Sequence, residues 1–335
     1  MAFFQKGNAI LYLFYVSLSL ILPKLQTRMS NLQMTDRLSK VTEALTHPDS
    51  LKSFSGEHTH GEPVPSGHIL REIIELCRAI LFPGFYGTPV TNLRSMNYHT
   101  GVNIEKLYQL LIGQIRAGLC FADEEKQHSE KTDKSIEQKN KEHCSRAQEL
   151  AVLFIERLPD LRAILYTDVE AAYNGDPAAE SFGEIISCYP AIRALTNYRI
   201  AHELDLMRVP LIPRIITEMA HSETGIDIHP SAQIGHHFTI DHGTGVVIGA
   251  TCIIGNYVKL YQGVTLGAKS FPLDENGNPI KGIPRHPILE DGVIVYSNAT
   301  ILGRITIGKG AVIGGNIWVT ENVEPGARIV QKKYK

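Results

Sequence analysis

The sequence predicts an α + β chain, a mostly helical N-terminal part followed by a parallel β-helix, and two observations carry that prediction. From about Asp36 to Ser222 the apolar residues recur at helical spacing. From Gly225 onward they recur every sixth residue. No α-helix explains a period of six, because six steps of about 100° leave successive residues on three different faces. With 335 residues, and about 150 residues per domain as a guide, there is room for one large or two ordinary domains.

Composition narrows the function classes. Lys and Arg number 33 against 35 Asp and Glu, a net charge of -2, so the whole-chain field does not draw in a phosphate backbone and nucleic acid is not expected as a partner. A hydrophobic share of 43% with 20% charged residues excludes a mainly disordered chain. Cys77, Cys120, Cys144, Cys188 and Cys252 are scattered, with no C-x-x-C pair; they read as reduced thiols of a cytoplasmic protein.

Residues 1–28 stand apart. The apolar run at 9–22 (AILYLFYVSLSLIL) follows Lys6 like the core of a signal peptide, but it is shorter than the roughly 20 residues of a membrane span. No small-residue cleavage site follows it. The favoured reading is a mis-assigned start, with translation beginning at Met29; an apolar leader that anchors or exports the chain ranks behind it.

A helical domain is expected over 29–222. Ile69, Leu70, Ile73, Ile74, Leu76, Ile80 and Leu81 form one apolar stripe, stopped by Pro83-Gly84. Similar stretches cover 104–119, 146–158, 159–172, 183–209 and 213–220. Between them, 123–143 mixes charges of both signs almost without apolar anchors, a solvated loop or frayed helix extension. Asn174-Gly175-Asp176-Pro177 reads as a helix N-cap with proline at N1.

Over 223–321 the repeat is carried by Ile228, Ile234, Ile240, Val246, Cys252, Val258 and Val264, then by Leu289, Val295, Ile301, Ile307, Ile313 and Val319, each run keeping phase without a slip. Each hexad forms one flat wall before the chain turns a corner, and the recurrent aliphatic points inward. Residues 266–287 interrupt the repeat with Pro, Gly, Asn and Asp, so a loop must protrude there. A short tail, 322–335, follows.

At this level the residues resemble a known family, the serine O-acetyltransferases among the hexapeptide-repeat acyltransferases, in its longer N-terminal form. The matching strings are Gly225-Ile226-Asp227-Ile228-His229-Pro230, Ile240-Asp241-His242-Gly243-Thr244-Gly245, Tyr261-Gln262-Gly263-Val264-Thr265-Leu266-Gly267 and Pro284-Arg285-His286-Pro287. Asp176-Pro177-Ala178-Ala179 and the segment from Ala194 to His202 are similar to that family's helical domain. The resemblance implies an N-terminal α-helical domain followed by a C-terminal left-handed parallel β-helix of hexapeptide repeats. It also implies transfer of acetyl from acetyl-CoA to L-serine, the first step of cysteine biosynthesis from serine.

Acetyl transfer from a thioester to a hydroxyl needs a base for the hydroxyl proton and an acid for the leaving thiolate, and one histidine can serve as both. The resemblance makes His242 that histidine. Asp227, about one turn of roughly eighteen residues back, would fix its tautomer, with no acyl-enzyme. A zwitterionic substrate needs an anion for its ammonium and a cation for its carboxylate. The resemblance assigns Asp176 and Asp241 to the ammonium, and Arg285 and His286 to the carboxylate. It assigns Leu266, Gly267 and Ala268 to the pantetheine channel, and Lys269, Ser297, Gly315 and Arg328 to the rest of acetyl-CoA, a co-substrate; no tightly bound cofactor is expected.

Simpler roles compete. Asp227 could cap a corner, Asp241 could hold an Asx turn, and His58, His60, His236 and His237 read as surface histidines. The alternative enzyme is a hexapeptide acetyltransferase acting on a sugar or amino-sugar hydroxyl, which would not need Asp176, Asp241 and Arg285 together. A zinc enzyme would need histidines about eighteen apart on one wall; no such pair occurs in this half, and no metal is expected. A non-catalytic platform would not need Asp227 with His242.

The resemblance further implies a homotrimer with sites between prisms, a dimer of trimers through the helical half in many members, and L-cysteine as feedback inhibitor. The family's tail, which enters the active site of cysteine synthase, has no counterpart in Val330-Gln331-Lys332-Lys333-Tyr334-Lys335. The departure of this tail from the family's puts the expected cysteine synthase complex and the tail-dependent part of inhibition in doubt.

Overall fold

The computed structural model describes residues 34–47, 64–89, 92–127 and 136–331. The readings of 1–28 and of the last residues, 332–335, fall outside these. The chain divides into two compact units, 1–61 and 62–335. In the first, the described residues form one exposed helix, α1, over 34–46.

The second unit opens with α2 (Gly67–Leu81), started by Ser66, whose hydroxyl accepts from Ile69 N. Its Leu70, Ile73, Ile74, Cys77, Ile80 and Leu81 are buried as the stripe requires. Next come α3 (Leu93–Gln127) and α4 (Ile136–Gly175). The charged segment at 123–143 is thus helical at both ends, with 128–135 outside the described residues. The sequence suggested two helices meeting at Pro159, but α4 runs through it. An interior proline forfeits one backbone hydrogen bond, yet Phe154 and Leu158 before it and Leu161 and Leu165 after it share one buried face, and that packing carries the helix across.

The expected helix over 183–209 is divided instead. It comprises α5 (Phe182–Cys188) and α6 (Pro190–Leu206), broken at Tyr189 because the residue before a proline is driven to extended backbone. Helix α7 (Ile212–Thr224) ends at Gly225, left-handed at φ 71.

Fourteen short strands among the described residues then wind into a prism: β1 (Asp227–Ile228), β2 (Gln233–Ile234), β3 (Thr239–Asp241), β4 (Val247–Ile248), β5 (Ile253–Ile254), β6 (Lys259–Tyr261), β7 (Thr265–Gly267), β8 (Ile288–Leu289), β9 (Ile294–Val295), β10 (Thr300–Leu302), β11 (Thr306–Ile307), β12 (Val312–Ile313), β13 (Trp318–Val319) and β14 (Arg328–Ile329). Its walls are three parallel sheets, ordered β1-β4-β7-β10-β13, β11-β8-β5-β2 and β14-β12-β9-β6-β3. Every predicted aliphatic from Ile228 to Val319 is buried, but the phase is not unbroken. Ile228 pairs with Ile248, twenty residues on, whereas Ile248 pairs with Leu266, eighteen on. The first coil carries two extra residues, at the corner 241–245. Counting by six steps there from Ile240, an inward strand position, to Val246, a buried corner position two residues before its strand partner Ile248, so the slip leaves no polar residue to betray it.

The protruding loop also starts later than expected. Leu266 and Gly267 belong to β7 (Thr265–Gly267), paired with Ile301 and Leu302 of β10 (Thr300–Leu302), so the chain leaves the prism only after Gly267.

Helices and prism share a buried polar joint. Asp168 of α4 receives both arms of Arg199, each bond 3.2 Å, and also Phe238 N at 3.1 Å. Arg199 further donates to the carbonyls of Ile234 and Gly235 at 2.6 and 2.7 Å. Burial raises the Asp168 carboxyl above its usual range against the opposing pull of Arg199. Removing one partner of such a pair strands a buried charge at a cost of about 3–5 kcal/mol. The joint therefore fixes the C-terminal part of α4 on the start of β3 (Thr239–Asp241).

Candidate active site

The predicted residues gather in two groups, at the two corners that bound the wall β1-β4-β7-β10-β13. The first lies where the chain turns from β3 into β4 (Val247–Ile248). Asp176 follows directly on α4; it is not the N-cap the sequence suggested. Its carboxylate closes an Asx turn onto Ala178 N, 2.8 Å, and the real cap of the next helix is Ser181, which accepts from Glu184 N at 3.1 Å. Tyr189 donates its hydroxyl to Asp176 Oδ2 at 2.6 Å. That bond, with the Ala178 amide, holds the Asp176 carboxyl below its ordinary range, and the same bond, with burial, pushes the Tyr189 phenol up to about 12.

Asp241 ends β3. Its Oδ2 lies 3.1 Å from Lys259 Nζ and its Oδ1 lies 3.8 Å from His242 Nε2. Lys259, on β6 (Lys259–Tyr261), donates to the last carbonyl of α4, Gly175 O, at 2.6 Å. His242 stands at φ 58, and its side chain is 77% exposed. At the matching corners of later coils, Asn298 and Asn316 take the same left-handed conformation, which asparagine tolerates; for other residues with a Cβ it costs about 1–2 kcal/mol. The following Gly243, at φ 98, has no room for a Cβ, which would stand 2.5 Å from Ile226 Cδ1. The chain thus tolerates backbone strain to present an exposed imidazole beside two carboxylates.

The second group lies where the wall ends. His286 is buried and lies flat on Gly249. Its Nδ1 accepts from Thr251 N at 3.1 Å and lies 2.8 Å from Thr251 Oγ1, so the neutral ring carries its proton on Nε2. Burial first, then the cations Arg285 and Arg304, pull the imidazole down to about 4. Thr251 Oγ1 also accepts from Arg285 N at 2.9 Å. The Arg285 guanidinium lies over the Phe271 ring, and its buried Nε has no partner among the described residues.

Asp227 sits on the wall between the corners. Its nearest cation is Arg214, at 3.9 Å, and no hydrogen bond or ion pair joins it to His242 among the described residues. Asp227, Glu218 and His221 approach within 4.8 Å of one another; Arg214 pairs with both carboxylates, which accounts for the cluster.

The expected acetyl-CoA residues divide the same way. Ser297 and Gly315 adjoin at the first corner, where a Cβ on Gly315 would stand 3.1 Å from Ser297 O. Gly267, Ala268 and Lys269 leave the prism at the second. Leu266 points into the core and is fully buried, because strand alternation turns it inward; only its backbone could face a ligand, and its carbonyl already accepts from Gly249 N at 3.1 Å. Arg328 lies on β14, in a different wall. Under the loop is a cavity of about 310 Å³ whose lining includes Lys269, Pro272, Ile283, Arg285 and Arg304.

Tyr189, Lys259 and Thr251 were not singled out from the sequence. Lys259 had a usable signal, lying eighteen residues after Asp241, but the longer first coil places it diagonally from Asp241, opposite Thr239.

A helical half leading into a left-handed β-helix of hexapeptide repeats defines an acyltransferase of the hexapeptide class. No family model matches the chain. It is 48% identical over 273 residues to the plasmid serine acetyltransferase of Synechococcus elongatus, spanning 82% of this chain and 83% of that one. It is 43% identical over 180 residues to the serine acetyltransferase of Bacillus licheniformis, 51% of this chain and 79% of that one. The solved serine acetyltransferase isoform 3 of Entamoeba histolytica, in complex with cysteine, superposes with a TM-score of 0.64 at 31% identity, covering 92% of this chain and 94% of that one. The chain belongs to the serine acetyltransferase family.

Proposed function

We propose that the chain acts as a serine O-acetyltransferase in which His242 takes the proton of the L-serine hydroxyl as that oxygen bonds to the acetyl carbon of acetyl-CoA. The thioester C–S bond breaks, and the imidazolium returns the proton to the CoA thiolate, leaving O-acetyl-L-serine and CoA. The observation that carries this reading is the strained, exposed His242 between Asp241 and the end of α4. Asp176 and Asp241 take the substrate ammonium. Arg285 takes its carboxylate through its guanidinium, with neutral His286 beside it offering Nε2–H.

The division of these residues between two corners supports a homotrimer with shared sites. Three prisms packed corner to corner bring His242 of one copy toward Asp227, Arg285 and His286 of the next. Val247 and Trp318, exposed apolar residues on the outer face of the intervening wall, suit that packing. Asp227 then exchanges Arg214 for the imidazole and fixes its tautomer. Acetyl-CoA lies along the same groove, from Ser297 and Gly315 to Gly267, Ala268 and Lys269, and the cations of the loop cavity meet its phosphates. The cysteine held by the Entamoeba histolytica relative suggests L-cysteine as a competitor for the serine site, its ammonium and carboxylate matching those of serine. No helix among the described residues is long and apolar enough to cross a membrane, in keeping with work in the cytoplasm.

The test is release of CoA thiol from acetyl-CoA with L-serine, against homoserine, threonine, a galactoside and glucosamine, alongside His242→Ala. Turnover with serine, lowered by about 10²-fold or more in the variant, is expected. Turnover only with a sugar would overturn the amino-acid site.

A further inference from the structure

Lys259 is not needed to build a prism. Its β3 counterpart is Thr239, and its β9 counterpart is Ile294. Its side chain is nevertheless largely buried, 16% exposed, and its ammonium meets three groups of the first corner: Gly175 O at 2.6 Å, Asp241 Oδ2 at 3.1 Å and the Tyr261 ring at 4.7 Å from the centroid. Holding Oδ2 leaves Oδ1 as the Asp241 oxygen that faces His242. Holding Gly175 ties down the residue before Asp176. One cation thus fixes the relative position of both carboxylates.

The charged and titratable groups around His242 are Asp241 on β3, Asp176 after α4, Lys259 and Tyr261 on β6, and Tyr189 with Glu184 from the α5–α6 segment. Lys259 is the cation in this set. Without it, Asp241 would lose the partner that fixes which of its oxygens faces His242. We propose that Lys259 is a positioning residue of the serine site, locking Asp241 and the end of α4 in place so that both carboxylates meet the substrate ammonium in one fixed geometry. The inference rests on the serine-site reading above. Burial by itself would lower the Lys259 pKa, but its bonds to Tyr261 and Asp241 outweigh this and raise it, so the ammonium stays charged across the working range.

The experiment measures kcat and the KM for serine and for acetyl-CoA in the full chain, its Lys259→Gln and Lys259→Met variants, and Lys259→Arg. Glutamine keeps a donor for Gly175 and Asp241 while removing the charge, so it reports even where methionine loosens the fold. With Gln or Met the serine KM rises by on the order of tenfold while the KM for acetyl-CoA holds, and Arg returns it. A serine KM equal to the parent's, an equal rise in both KM values, or no return with Arg overturns the proposal. Asp241→Asn separates the two readings: it should raise the serine KM. If it does not, the serine site itself falls; if it does while the Lys259 variants change nothing, the role of Lys259 alone falls.

Discussion

Replacing Gly249 with Ala tests whether the carboxylate end of the serine site depends on a flat seat for His286. An added Cβ would stand 2.1 Å from His286 Cδ2, 2.3 Å from Nε2 and 2.7 Å from Cγ. Non-bonded carbons settle at about 3.5–4.0 Å, so the ring must retreat by about 1.4 Å or more. That retreat pulls Nδ1 from Thr251, whose amide and hydroxyl now lie at 3.1 and 2.8 Å. It also disturbs Arg285, whose own amide is held by the same hydroxyl. Overpacking costs about 1–3 kcal/mol and the lost hydrogen bond about 1 kcal/mol. At about 2–4 °C per kcal/mol for a unit of this size, the melting temperature should fall by roughly 4–16 °C. The serine KM should rise about tenfold, which corresponds to about 1.4 kcal/mol of lost binding. Thiol-release kinetics and a thermal melt read both, with Gly101→Ala as control, since an added Cβ there meets nothing within 4 Å. A Gly249→Ala protein with the parent's serine KM and melting temperature would refute the argument that this glycine exists to seat His286.

Three further outcomes are expected. His242→Asn should lower turnover by about 10²–10⁴-fold while the melting temperature stays level or rises, because asparagine tolerates the left-handed backbone that His242 holds at φ 58; a clear loss of stability would show that His242 is structural. The neutral form of His286 is favoured in the folded protein, with its imidazole at about 4 against an ordinary 6.5. Its contribution to stability is therefore complete above pH 6.5 and lost as the pH falls from there toward 4; urea midpoints of the parent and His286→Asn should converge across that window, and parallel curves would contradict it. Excising 272–279 removes a hairpin whose ends already meet, Ile280 N donating to Pro272 O at 2.9 Å, and takes Pro272 from the cavity lined by Lys269, Arg285 and Arg304. The KM for acetyl-CoA should rise, and an unchanged value would separate the loop from CoA binding.

The prism was legible because its geometry forces the sequence: each wall turns one strand residue inward, and that position must be aliphatic. The two-residue slip was not, since Val246 and Cys252 are as deeply buried as the strand positions they displace in the count. Helices were legible as stripes, but not their breaks. Pro159 interrupts nothing because packing on both sides outweighs one lost hydrogen bond, whereas Pro190 does end a helix by forcing Tyr189 extended. At the site, Asp241 and His242 came from a motif contiguous in sequence. Tyr189 could not, because it reaches Asp176 only through the packing of the helices, a contact that no local pattern encodes; Lys259 was hidden by the two-residue slip, which sets it beside Asp241 from a position opposite Thr239.

The location of the site follows from how the prism uses its backbone. Along a wall, parallel ladders occupy the N–H and C=O groups and the inward side chains are committed to the core, so strand residues have little left for a ligand. Corners escape both constraints, and the first coil is enlarged at one of them, at 241–245. The extra length lets His242 stand clear of the surface at φ 58 while Asp241 stays anchored in β3 beside Tyr261. An exposed histidine in a strained conformation would earn nothing in a protein selected for stability alone. Its neighbours point the same way: α4 is bolted to the prism through Asp168 and Arg199, and that joint, with the Lys259 bond to Gly175 O, brings Asp176 to a corner belonging to a part of the chain more than sixty residues later. Loosening the joint should therefore raise the serine KM before it unfolds the prism, whose own ladders do not pass through Arg199.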